Sequence, residues 1–183
     1  MGFEGCSWYI SVLDKNTDFV GFLKVPRSGK DVEEALYLRT QLQIDNPLNE
    51  KLTKQVYPYF KDEIPNLSGT MMDIGCYGGW LYPFVKDHVD YHGIDVWPEA
   101  IAAAKRRFPE GKFTVKNLRE IKLRADIVCG FQLHPQEGED FYVPALSRLA
   151  NKVAYWTGNN GYRFSEYFSS IEWLNGYMYK GIK

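Results

Sequence analysis

The stretch Thr70-Met71-Met72-Asp73-Ile74-Gly75-Cys76-Tyr77-Gly78-Gly79 decides how this chain is read. A short apolar run ends in an acid and a glycine-rich turn, with a helix-length segment behind it, as the first unit of a doubly wound sheet requires. Glycines at such a turn let the backbone bend sharply and come close to a ligand. A second short run, 91–94, ends at Asp95, about 20 residues beyond the turn, where such folds place a carboxylate on ribose hydroxyls. Both acids therefore fall at strand carboxyl ends, the edge where open sheets bind nucleotide cofactors.

The dinucleotide fingerprint G-x-G-x-x-G fails on this turn: counted from Gly75, Tyr77 and Trp80 stand where its second and third glycines belong. The stretch instead resembles the first motif of class I S-adenosylmethionine-dependent methyltransferases, D/E-x-G-x-G-x-G. Asp73, Gly75 and Gly79 match it, and Tyr77 replaces the middle glycine. The resemblance implies that Asp73 meets the amino end of the methionine moiety, that the turn passes beneath it, and that Asp95 takes the ribose hydroxyls. Acids suit a cofactor that presents an ammonium and a sulfonium rather than a pyrophosphate. On the bland alternative, Asp73 caps the turn and the glycines only make a tight strand-to-helix connection.

The resemblance extends this site. Val96 and Trp97, directly after the ribose acid, are expected at the adenine, with Trp97 stacking on it or packing the next helix start. Asn117 and Leu118 stand where relatives set an acid or amide against the adenine amino group. Cys76 in the turn and Phe131 behind the fourth strand complete the implied cofactor contacts.

At 183 residues the chain has room for one domain with a substantial core and an appendage. The expected division is 1–66, a hairpin and helices, followed by 67–183, the cofactor-binding core. Hydrophobic residues at 45% and charged residues at 25% are ordinary for a globular protein, while 16% aromatic suggests rings lining a pocket or interface. A net charge of -1 lacks the strongly basic balance of nucleic-acid or membrane-surface proteins. Cys6, Cys76 and Cys129 make no C-x-x-C pair, which argues against a disulfide framework and a structural zinc and places the chain in a reducing cytoplasm. No apolar stretch reaches a bilayer-spanning length, no signal-peptide pattern opens the chain, and Cys6 stands where a myristoylation start wants Ser or Thr.

In chain order, 8–25 reads as an antiparallel hairpin around a polar turn, covering the substrate side, pairing across a homodimer, or serving as a stabilising flap. Helices are expected at 31–44 and from Pro47 to about Phe60; Tyr57 and Tyr59 in the second either reach the ligand or form its apolar face. Then come a helix over 79–89 with Pro83 in its first turn, a helix over 98–108 with cations at its end, strands at 112–115 and 125–129, a helix over 141–150, a strand at 152–157 and a short aromatic helix at 164–168. Asn175-Gly176 between two strand-like runs signals a closing hairpin, as in the seven-stranded methyltransferase sheet. The expected fold is thus α/β, Rossmann-like and doubly wound: a mostly parallel seven-stranded sheet with an antiparallel C-terminal hairpin, plus the N-terminal hairpin and helices.

The loop 130–137, behind the fourth strand, borders the methyl group in the resemblance. His134 is its candidate general base, since an imidazole titrates near neutrality, with Glu137 orienting it; the alternative is that His134 only shapes the loop before Pro135. The loop carries neither an Asp/Asn-Pro-Pro-Tyr signature nor a Pro-Cys pair. His88 and His92 read as structural. Residues 105–124 hold eight bases against two acids, which leaves a nucleic-acid partner open beside the favoured small-molecule acceptor. The implied activity is methyl transfer from S-adenosylmethionine, with S-adenosylhomocysteine as product, to an O, N or S nucleophile. The alternatives are a non-catalytic cofactor-binding regulator or scaffold, and the same fold running another reaction on the cofactor.

Overall fold

The structure, a computed structural model, describes residues 8–12, 21–25, 56, 58–131, 133, 138–158, 160–175 and 178–183. The chain divides into two compact units, 1–50 and 51–183. In the first, β1 (Trp8–Val12) and β2 (Gly21–Val25) pair antiparallel with Trp8 opposite Val25 and Val12 opposite Gly21, which bears out the expected hairpin. The helix expected over 31–44, and Pro47 and Tyr57 of the next, lie outside the described residues.

The second unit is built on a seven-stranded sheet. Its strands are β3 (Thr70–Ile74), β4 (Asp90–Asp95), β5 (Lys112–Val115), β6 (Ala125–Gly130), β7 (Ala150–Thr157), β8 (Ser170–Asn175) and β9 (Met178–Ile182). Their order is β5-β4-β3-β6-β7-β9-β8; the first five run parallel, and β9 enters antiparallel between β7 and β8. The strand-like runs become a parallel sheet because both faces are covered, so consecutive apolar residues serve opposite sides. Met71, Ile127 and Tyr155 pack on one face with Phe60, Val85, Tyr91 and Ile101. Their neighbours Met72, Val128 and Trp156 pack on the other with Val143, Leu146 and Phe168. Val56, Phe60 and Ile64, ahead of residue 67, are buried in the first of these layers.

The helices depart furthest from expectation after the glycine turn. The segment expected as a helix over 79–89 holds a single α-helical turn, α1 (Tyr82–Val85), between turns. Gly79 sits at φ +74°, outside the right-handed helical region, and Pro83 has no N–H with which to extend the helix backwards. α2 (Pro98–Arg107) begins with Pro98, carries Glu99 in its first turn and Lys105, Arg106 and Arg107 in its last, each where the helix dipole favours it, and buries Ala100, Ile101, Ala103 and Ala104. α3 (Glu139–Leu149) starts two residues earlier than expected and leads directly into β7. The aromatic segment, Gly161–Tyr167, is 3-10 helical on either side of a kink at Phe164. Between β5 and β6 the chain makes only a 3-10 turn, Leu118–Glu120, where a full crossover helix would need about a dozen residues or more. No helix of the described residues is long and apolar enough to cross a membrane.

Candidate functional site

The glycine turn leaves β3 and doubles back on β4. Gly75 (φ +72°), Tyr77 (φ +52°) and Gly79 (φ +74°) all hold the left-handed conformation. Two of the three are glycines because a Cβ there is strained; Tyr77, the residue in place of the motif's middle glycine, adopts the conformation nonetheless. It is held there: the Tyr77 N–H donates to Asp95 Oδ2 at 2.9 Å, while the N–H groups of Gly75 and Cys76 donate to the Ile94 carbonyl at 2.8 and 3.2 Å. Asp95 Oδ1 accepts the Trp97 N–H at 3.0 Å. One carboxylate thus fixes the turns after both β3 and β4. The Val96 N–H also acts on this carboxylate, whose two oxygens offer about four acceptor positions and so keep room for a ligand donor.

Parallel pairing of Ile74 with Ile94 brings Asp73 and Asp95 to neighbouring strand ends. Asp73 is buried, and its Oδ2 accepts the Tyr91 hydroxyl at 2.6 Å. Burial pushes its carboxyl up to about 7, with the nearby Asp95 adding to the rise and the Tyr91 hydrogen bond opposing it. Asp95 is also raised, by burial, against the pull of its backbone donors. Two desolvated carboxylates side by side make a site that gains from a cationic ligand.

Beside these buried acids lies exposed apolar surface. Val96 is 51% and Trp97 44% exposed, and the Trp97 ring meets Tyr77 edge-on at 5.5 Å. Cys76 is buried with its thiol pushed up chiefly by burial, and its Sγ packs against Gly93, where a Cβ would come within 2.8 Å of it. Asn117 caps the 3-10 turn behind β5, its Oδ1 accepting the Arg119 N–H at 2.9 Å, and Leu118 packs on the second core layer. Phe131 is turned to the first layer, edge-on to Phe60 at 5.2 Å, and Phe60 meets Tyr155 at 4.9 Å. The structure thus brings Asp73, Gly75, Cys76, Tyr77, Gly79, Asp95, Val96 and Trp97 into one neighbourhood. His134 and Glu137 lie outside the described residues.

Two residues escaped the sequence reading. Tyr91, the donor to Asp73, reads in the sequence only as the start of a strand; its signal is its position on the same strand face as Gly93, the glycine opposite Asp73, which leaves the space a long side chain can reach. Leu133 covers the glycine turn: a Cβ on Gly75 would meet its Cδ2 at 2.4 Å, and one on Gly130 its Cδ1 at 2.8 Å. Nothing in local sequence announces that contact between distant segments.

The order of the seven strands, five parallel and then an antiparallel closing pair, is that of the class I S-adenosylmethionine-dependent methyltransferase fold. The chain superposes on the magnesium protoporphyrin IX methyltransferase of Synechocystis PCC 6803 with bound SAM at a TM-score of 0.58 and 14% identity, covering 86% of each chain. Against the same enzyme with bound SAH the TM-score is 0.62 at 11% identity, over 84% of this chain and 97% of that one. A Thermoplasma acidophilum protein matches at 0.51 and 19% identity, over 68% of this chain and 82% of its own. No protein-family model and no curated protein matches the sequence.

Proposed function

We propose that this protein binds S-adenosylmethionine at the glycine turn and transfers its methyl group to a nucleophilic O, N or S atom, a small molecule being the favoured acceptor, with S-adenosylhomocysteine as product. The observation that carries the reading is Asp95: a buried carboxylate bonded to the backbones of both strand-end turns, with exposed Val96 and Trp97 beside it.

The residues present fit this cofactor by their chemistry. Asp73 offers charge to an ammonium, the spare lone pairs of Asp95 suit a ribose diol, and Val96 and Trp97 offer apolar surface to a purine. When bound, the cofactor supplies an electrophilic methyl on its sulfonium. The protein's share is alignment and exclusion of water, to which Leu133 over Gly75 contributes. His134, oriented by Glu137, is the proposed base for the acceptor's proton.

The test is calorimetric titration with S-adenosylmethionine, S-adenosylhomocysteine and NAD, on the parent and on Asp95→Ala. The expected result is micromolar binding of both methyl cofactors, weakened at least tenfold by the substitution, as loss of a charge-assisted hydrogen bond requires, and no NAD binding. Absence of binding, or a preference for NAD, overturns the reading. Binding with no acceptor methylated and His134 variants inert would leave a cofactor-binding regulator.

A further inference from the structure

The edge of the sheet opposite the closing hairpin carries cations that the cofactor site does not use. β5 is the edge strand, and Lys112 and Lys116 lie on it and just past its end. Lys122 follows on the connection to β6, and Lys105 and Arg106 stand at the end of α2, which packs on β5. All five are exposed, and among the described residues none of them makes an ion pair, whereas Lys152, Arg163 and Lys180 pair with Asp126, Asp140 and Glu63 at 3.3, 3.0 and 3.0 Å.

Three further observations converge there. His92 on the neighbouring strand, bonded through Nε2 to Thr114 Oγ1 at 2.8 Å, is only half-buried. Its imidazole is held below its usual value by burial first and then by Lys112, with Asp90 opposing and Lys116 adding to the fall, so both lysines act near the same spot. Across the connection lies a shallow cavity of about 410 Å³ lined by Leu118, Arg119, Phe141, Pro144, Ala145 and Arg148, with the Arg119 guanidinium 4.3 Å over the Phe141 ring.

We infer that this basic edge docks the phosphate backbone of a single-stranded nucleic acid, with the Phe141–Arg119 cavity available to a base. An extended polyanion fits better than one phosphate, because Lys112 and Lys116 stand roughly 13 Å apart along an extended strand. Guanidinium and aromatic planes among cations are the surfaces on which unpaired bases stack. A formal charge of -1 over the whole chain makes the local excess a property of this edge and not of the composition. The inference stands apart from the cofactor reading and can fail or succeed without it.

The experiment is fluorescence anisotropy with a labelled oligouridine, a labelled DNA duplex and anionic lipid vesicles across a salt series. Five neutralised phosphates on a single strand give a log–log salt slope of about −3.5, on the order of a hundredfold loss of affinity between about 50 and 200 mM salt. The triple variant Lys112→Glu, Lys116→Glu, Lys122→Glu is expected to bind oligouridine at least tenfold more weakly, with a slope shallower by about 2 and S-adenosylmethionine affinity unchanged. The corresponding triple Gln variant covers any folding defect from charge reversal. No oligouridine binding, a triple variant that binds like the parent, or tighter binding to the duplex or the vesicles overturns the inference.

Discussion

Replacing Asp73 by Asn should stabilise the free protein above neutral pH while weakening cofactor binding, and the two effects come from one carboxylate. The folded Asp73 carboxyl lies near 7 against an ordinary value of 3.8, with burial the main cause. Between those values the folded chain holds a proton the unfolded chain has lost, so this group's contribution to stability is greatest below about pH 4, falls as pH rises, and is at its lowest above about 7. A rise of about three units corresponds to roughly 4 kcal/mol at most. Asparagine keeps an acceptor for the Tyr91 hydroxyl, now at 2.6 Å from Oδ2, but carries no charge to desolvate. Urea unfolding of parent and variant from pH 4 to 8 should show the parent losing several kcal/mol relative to Asp73→Asn across that window. Titration at pH 8 should show the variant binding S-adenosylmethionine at least tenfold more weakly, since the ammonium loses its counter-charge. Parallel stability profiles for the two proteins would refute the claim that a desolvated carboxylate is held here.

Two further outcomes follow from packing. Gly79→Ala places a Cβ 2.7 Å from Phe113 Cε1 on a backbone at φ +74°, so it should cost about 2–5 kcal/mol in chemical denaturation. A loss under about 1 kcal/mol would mean that the turn relaxes. Glu63→Gln weakens a half-buried network in which the carboxylate accepts the Tyr155 hydroxyl at 2.7 Å and pairs with Lys180 at 3.0 Å; a loss of about 1–3 kcal/mol is expected, and an unchanged midpoint would show the network to be idle.

The parallel core was legible because strands buried on both faces read as apolar runs and their turns carry glycines and acids at fixed steps. Strand ends at 70–74 and 112–115 and helix ends near 98 and 107 fell where the sequence puts them, since Pro98 and the run of cations mark the boundaries of α2. The composition of residues 79–89 suits a longer helix than the single turn that forms, because the positive φ of Gly79 is a property of the folded turn. At the site, Asp73 and Asp95 could be placed from spacing alone. Tyr91 and Leu133 could not, because their roles depend on strand register and on a contact across the fold. Asn117 had a plausible ligand role by position, and the structure shows its oxygen capping its own turn.

The placement of β9 has a consequence for how the chain is made. Translation delivers β8 before β9, yet β8 touches the sheet only through β9. While Ser170–Asn175 has left the ribosome and Met178–Ile182 has not, β7 presents an open edge with buried-type residues on both faces, and β8 has no neighbour to pair with. During synthesis the nascent chain therefore passes through an interval in which the β7 edge is bare, and a clipped product lacking residues 178–183 would remain in that condition.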